Sequence, residues 1–287
     1  MKPYRISIFL PDGMPDGLRF VEKSNWSGLG VVCPRSLLID ARSRPEFTRT
    51  GVYVLVGENE TSGLPTVYVG ESDSIRPRLE QHASMKDFWT SVTFFVSKDD
   101  NLNKAHVQYL ESRLVGLAAE AKRCVLDNGN VPSPPSLSEA DKADAEGFLD
   151  EMLLCLPIVG INVFDQPTAP SSGATRLFLK GHQAEGEGYE AGGEFIVRAG
   201  SKGRVSEVTS FPSSSRQLRK TLLEQQVLRL EGESYIFTQE YAFRSPSAAA
   251  NVLLGRSANG RVEWKDAEGR TLKALQEGYE ALPPVGE

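Results

Sequence analysis

Gly51–Gly57 (GVYVLVG) and Thr66–Gly70 (TVYVG) are two β-branched and aromatic runs separated by the polar, glycine-containing loop Glu58–Pro65. Such runs on either side of a turn-rich loop predict adjacent antiparallel strands. Each sets a tyrosine two residues from a glycine, Tyr53 after Gly51 and Tyr68 before Gly70. Ser72-Asp73-Ser74 then offers N-caps for a helix running to about Ala83. Pro77 is compatible with that helix only in its first turn, where a missing N–H is harmless. Val92–Ser97 (VTFFVS) predicts a third strand, and Asn101–Lys122 a long helix with Leu102, His106, Leu110, Leu114, Leu117 and Ala121 three or four apart.

Working outward, Tyr4–Leu10 and Leu18–Glu22 flank two Pro-Asp-Gly turns and predict a hairpin, followed by a short helix over Pro34–Arg44. Asp127–Ser138 is rich in Pro, Ser and Asn and reads as an exposed loop. Ser138 caps a further helix to about Leu156, Ile158–Phe164 reads as a buried segment, and Gln166–Gly173 as an interdomain linker. Beyond it, strands are expected over 176–180 and 194–199, helices over 213–226 and 246–255, and a closing hairpin from Gly260–Lys265 and Gly269–Leu272.

At 287 residues the chain is long enough for about two domains, each with its own core. With 40% hydrophobic and 24% charged residues, wholesale disorder is excluded. No apolar run approaches the ~18 residues of a membrane span, and the first residues lack the apolar stretch of a secretory signal. The three cysteines, Cys33, Cys124 and Cys155, form no C-x-x-C pair, which argues against a disulfide framework or structural zinc. The expectation is a cytoplasmic protein without a membrane partner. Residues 1–166 carry 17 Lys and Arg against 23 Asp and Glu, and residues 167–287 carry 15 of each. That balance excludes whole-surface binding to nucleic acid but leaves room for a local patch. The candidate is Ile196–Lys220, where Arg198, Lys202, Arg204, Arg216, Arg219 and Lys220 face Glu207 alone. A solvated face is the alternative.

Arg78 and His82 are four residues apart on one helix, so a guanidinium and an imidazole share a face. Glu111 sits at the margin of the apolar stripe of the long helix, where it can point into a cleft. Singly these are ordinary residues: strand tyrosines pack, and helix charges are solvated. Lys86 reads as a surface lysine, with a phosphate contact as the alternative.

As an ordered set, Gly51-Val52-Tyr53, Tyr68-Val69-Gly70, Arg78, His82, Glu111 and Asn162 resemble the GIY-YIG nuclease family over roughly residues 49–164. The resemblance implies an α+β core, a three-stranded antiparallel sheet flanked by helices, that hydrolyses DNA phosphodiesters with one Mg²⁺ or Mn²⁺. It implies Tyr53 as the base acting on water, His82 and Tyr68 as aids to proton transfer, Arg78 on the scissile phosphate and Glu111 on the metal. One carboxylate plus waters suits Mg²⁺, and the guanidinium fork suits phosphate. Tyrosine ionises near pH 10, so this role needs a neighbouring cation. The chain departs from the family in the valines of both motifs, the long loop after Tyr53 and the fifty residues between Glu111 and Asn162. The expected organisation is an N-terminal β-rich arm (1–48), the nuclease domain (49–165), a linker (166–174) and a separate α+β domain (175–287). Ser245-Pro-Ser-Ala-Ala-Ala, Val252–Gly260 and Trp264-Lys265 make that last part resemble an uncharacterised domain appended to GIY-YIG and restriction- or methylase-associated proteins. DNA recognition is its implied role. A non-catalytic DNA-binding module that keeps the nuclease fold is the alternative.

Other signals carry less. Gly28–Cys33 lacks the third glycine of a dinucleotide fingerprint and a following helix, and Gly186-x-Gly188 lies in what reads as a polar loop. His106 reads as a packed histidine, and His182 has no metal-binding neighbours in sequence.

Overall fold

In a computed structural model, described over residues 3–167 and 173–280, the chain opens with an antiparallel hairpin. Its strands are β1 (Ile6–Phe9) and β2 (Arg19–Lys23), and β3 (Gly28–Pro34) pairs with the second. A single helical turn, α1 (Leu38–Ala41), leads to β4 (Gly51–Gly57), β5 (Thr66–Ser72) and α2 (Ile75–Met85). Then come β6 (Ser91–Ser97), α3 (Lys104–Ala121), β7 (Val125–Leu126) and α4 (Glu139–Cys155). The strands form one sheet of seven in the order β1-β2-β3-β6-β4-β5-β7, antiparallel except for the parallel β5–β7 pair. The three strands expected from sequence lie side by side in it, and the N-terminal strands extend the same sheet from the β6 side. Gly28–Cys33 was not anticipated as a strand. Its unbroken apolar run is that of a strand covered on both faces.

Alternation divides the sheet between two cores. Val52 and Val54 of β4 and Val67 and Val69 of β5 face Leu110, Leu114 and Ala118 of α3 and Leu149 and Met152 of α4. Tyr53 and Leu55 face the other way, with Phe94, Ile75 and Leu79 of α2, and Leu38 of α1. Each fully buried aliphatic side chain contributes about 1.5–3 kcal/mol, and a one-residue slip of β4 would exchange its faces, so the register is strongly specified. The expected cap of α4 is present, with the Ser138 hydroxyl accepting from the Asp141 N–H at 3.1 Å.

Residues up to Asn59 with Leu64–Gln166 make one compact unit, and Glu60–Gly63 with those from Pro167 onward make a second. Of the expected linker, residues 168–172 lie outside the described residues. The second unit contains β8 (Leu177–Gly181), β9 (Ala184–Ala191), β10 (Glu194–Val197), β11 (Lys202–Arg204) and α5 (Ser213–Glu224). It continues through β12 (Leu228–Glu231), β13 (Ser234–Phe237), β14 (Tyr241–Phe243), α6 (Pro246–Leu254), α7 (Gly260–Glu263) and α8 (Leu272–Glu280). Its antiparallel sheet runs β12-β13-β11-β9-β10-β14, with β8 also on β9. The whole is α+β, with two mostly antiparallel sheets.

Two expectations fail here. The glycine-glutamate stretch expected as a loop is the interior strand β9. Its small residues point inward, and a Cβ on Gly186 would lie 2.9 Å from both Leu253 and Trp264, so the glycine admits α6 and the indole. The closing hairpin is instead α7 and α8 joined by one isolated bridge, Lys265 to Thr271. Among the described residues, no helix is long and apolar enough to cross a membrane.

Candidate active site

Register builds the first half of the site. Tyr53 stands opposite Gly70, and Tyr68 opposite Leu55, so both tyrosines lie on the α2 face of the sheet. The Tyr53 ring occupies the space a side chain at position 70 would need: a Cβ there would sit 2.3 Å from the Tyr53 hydroxyl oxygen. On α2, Ile75, Leu79 and His82 form the buried face, and Pro77 falls in the first turn, where it is tolerated. The fully buried Tyr53 hydroxyl is 2.8 Å from His82 Nε2. The Tyr68 ring centre lies 4.9 Å from that of the imidazole and 6.3 Å from that of Tyr53. Tyr53, Tyr68 and His82 therefore form one contiguous cluster. Arg78, one turn before His82, lies at its half-exposed rim, with Nη1 2.7 Å from Gln81 Oε1.

Glu111 arrives from the other side. Its helix, α3, packs on the opposite face of the sheet from α2, and no hydrogen bond joins Glu111 to the tyrosines. Both helices lie against β5, beyond which the sheet has only the two residues of β7. Charges therefore sense one another around that edge. Burial, then the Glu71 carboxylate, push Glu111 up to about 7, while Arg78 and Lys104 pull it down. Burial, then the Arg78 and Lys86 cations, hold His82 down to about 4, so its imidazole is neutral at pH 7. Burial and Tyr68 raise the Tyr53 phenol, against the charge and hydrogen bond of Arg78. Tyr53 is a neutral phenol bonded to a neutral imidazole.

Glu71 follows Val67 and Val69 in alternation and so faces α3, where Lys104 Nζ lies 2.8 Å from its Oε2 and 3.7 Å from Asp73 Oδ2. Among the described residues no group of three or more His, Cys, Asp or Glu is arranged to hold a metal. A hard cation completed by water, the habit of Mg²⁺, needs only one or two carboxylates, and Glu111 is a carboxylate at this edge that could contribute to such a site.

Asn162 is exposed in the segment after α4, between apolar residues Ile161, Val163 and Phe164 that are drawn into the α3–α4 core. A different asparagine borders the site. The Asn128 side chain accepts from Val69 N–H at 2.9 Å and donates to Val69 C=O at 2.8 Å, replacing one residue of a neighbouring strand. Sequence reasoning had placed it in a loop, and its Asp127-Asn128-Gly129 setting gives no hint of the role. Lys86, expected as a surface lysine, is partly buried. Its ammonium lies 4.5 Å from the Tyr68 ring centre and pairs with Asp127. The four-residue step from His82 was the available signal.

The basic stretch of the second unit does not converge. Arg219 is buried at 2% exposure, donates from Nε to the Val252 carbonyl at 3.1 Å and lies over Phe211 and Tyr235. As a surface contact for nucleic acid it is withdrawn: α5 turns it inward onto the end of α6. Arg216 pairs with Glu207 at 2.6 Å, Arg198 with Glu187 at 2.8 Å, and Lys220 with Glu224 at 3.8 Å. Arg204 bonds Ser206, and Lys202 is exposed. His106 is packed as expected, with Nδ1 3.2 Å from the Asn101 carbonyl.

Residues 177–276 match the family description of a domain of unknown function (DUF4357), which covers most of the second unit. No curated protein and no solved structure matches the chain.

Proposed function

We propose that the first unit is a GIY-YIG-type endonuclease that hydrolyses DNA phosphodiester bonds with one Mg²⁺ or Mn²⁺. The observation that carries this reading is the 2.8 Å contact between Tyr53 and His82, with Tyr68 against the same imidazole and Arg78 and Glu111 electrostatically coupled around it. Arg78 binds the scissile phosphate through its planar fork. Because burial disfavours a free phenolate, Tyr53 acts best as a relay. Its oxygen takes a proton from the attacking water while its own proton passes to His82 Nε2. A phosphate on Arg78 offsets the positive field that suppresses the imidazolium, so His82 gains basicity when substrate is bound. Glu111 is the carboxylate that would hold a divalent cation, which when bound would stabilise charge at the phosphate and leaving oxygens.

The test incubates the full chain with plasmid and branched DNA and Mg²⁺, beside Glu111→Ala and Tyr53→Phe. Cleavage by the wild type and its loss in both variants is the expected result. Cleavage that survives both variants, or wild-type inactivity under all these conditions, overturns the reading. Salt-sensitive binding without cleavage would instead favour a DNA-binding module that retains the fold.

A further inference from the structure

Arg78 and His82 share one side of α2, and Lys86, the extended C-cap residue just past its end, brings its ammonium to the same cluster over the Tyr68 ring. Eight residues of helix rise about 12 Å from Arg78 to Lys86, against about 3.4 Å of axial rise per nucleotide in a DNA strand, so the two cations are far enough apart for separate phosphates. Lys86 is firmly placed. Its N–H donates to the His82 carbonyl at 2.9 Å, and only 25% of its side chain is exposed. Its partner Asp127 is anchored too, its N–H bonding the Val67 carbonyl at 2.8 Å just before the doubly bonded Asn128. A cation is thus held over Tyr68, beside the imidazole, by a fixed carboxylate at the sheet edge.

We propose that Lys86 is a second phosphate contact, which takes a phosphate neighbouring the scissile one, and that Asp127 parks its ammonium until a strand displaces it. This rests on reading the Tyr53–His82 cluster as a phosphodiester site and adds how that site grips its strand. A partly exposed ion pair is weak and screened by salt, so an incoming phosphate can break it. Lysine suits the exchange, because its compact charge on a flexible stem can change partners without a fixed geometry.

The test measures affinity of the full chain for a fluorescent DNA duplex against salt, in metal-free buffer so that nothing is cut. Lys86→Met is expected to weaken binding and lower the slope of log K on log salt by about one, while Lys86→Arg keeps the slope. Asp127→Asn is expected to tighten binding, and that gain should vanish in the Lys86→Met background. A lower slope for Arg78→Ala with an unchanged slope for Lys86→Met overturns the Lys86 proposal and leaves the active-site reading standing. Unchanged slopes for both variants overturn both. An Asp127→Asn gain that persists without Lys86 also overturns the parking role.

Discussion

The two units treat charge in opposite ways. In the first, polar groups from β4, β5, α2 and α3 lie toward one sheet edge, and burial shifts Tyr53, His82 and Glu111 from their ordinary ionisation. In the second, a stretch with more cations per residue is dispersed: one arginine is built into the core, and three other cations are paired with carboxylates of the same unit. The density of charge along a sequence is therefore a poor guide to chemistry. What distinguishes the first unit is the Tyr53–Tyr68–His82 cluster, which depends on strand register and on the buried face of α2.

Arg78→Ala should break the comparison most sharply. Cleavage should fall by about 10²–10³-fold while stability moves by no more than about 0.5 kcal/mol, as read by plasmid nicking beside urea unfolding. Retained cleavage would mean that the gathered charges are not a site. Arg219→Met should do the reverse, costing about 2 kcal/mol of stability in the second unit by stranding the buried Val252 carbonyl. An unshifted unfolding transition would show that this arginine is not structural.

The ionisation contrast predicts a pH signature. Glu111, raised from 4.5 to about 7, makes the folded chain the better proton binder between those values, so its contribution to stability falls as pH rises across them. His82, lowered from 6.5 to about 4, makes the unfolded chain the better binder in its window, so its contribution rises with pH from about 4 to 6.5. The two slopes oppose each other where the windows overlap. Glu111→Gln should unmask the rise and leave the protein more stable than wild type above pH 7, as followed by urea unfolding across pH. Identical profiles would sink the claim that this carboxyl is perturbed. The smallest effect is expected from Lys202→Gln combined with Lys220→Gln, with stability within about 0.5 kcal/mol and an unchanged salt slope for DNA binding. A slope lower by about two would restore the basic stretch as an interface.

β4, β5 and β6 were legible as β-branched and aromatic runs, and α3 and α4 by apolar spacing and caps; α2 also lies where expected, although Ser74 at its N-cap makes no side-chain capping bond. Tyr53, Tyr68, Arg78 and His82 could be grouped because two motifs and one four-residue step place them. Four features escaped. β3 opens on Gly28 and Gly30, which interrupt its β-branched run. β9 hides its period of two behind glycines, which contribute no hydrophobicity although they face the core. Asn128 acts through a backbone partner 59 residues away, and no local pattern encodes that distance. Arg219 looked like its neighbours in sequence, and only the packing of α5 on α6 separates them.

Gly70 offers a caution for anyone mapping this protein by random mutagenesis. It has no functional group to lend, yet the phenol of Tyr53 lies where its side chain would grow. Even alanine there would evict the ring from its socket. A screen for dead variants would rank this silent position beside the arginine and the glutamate, and its contribution is empty space.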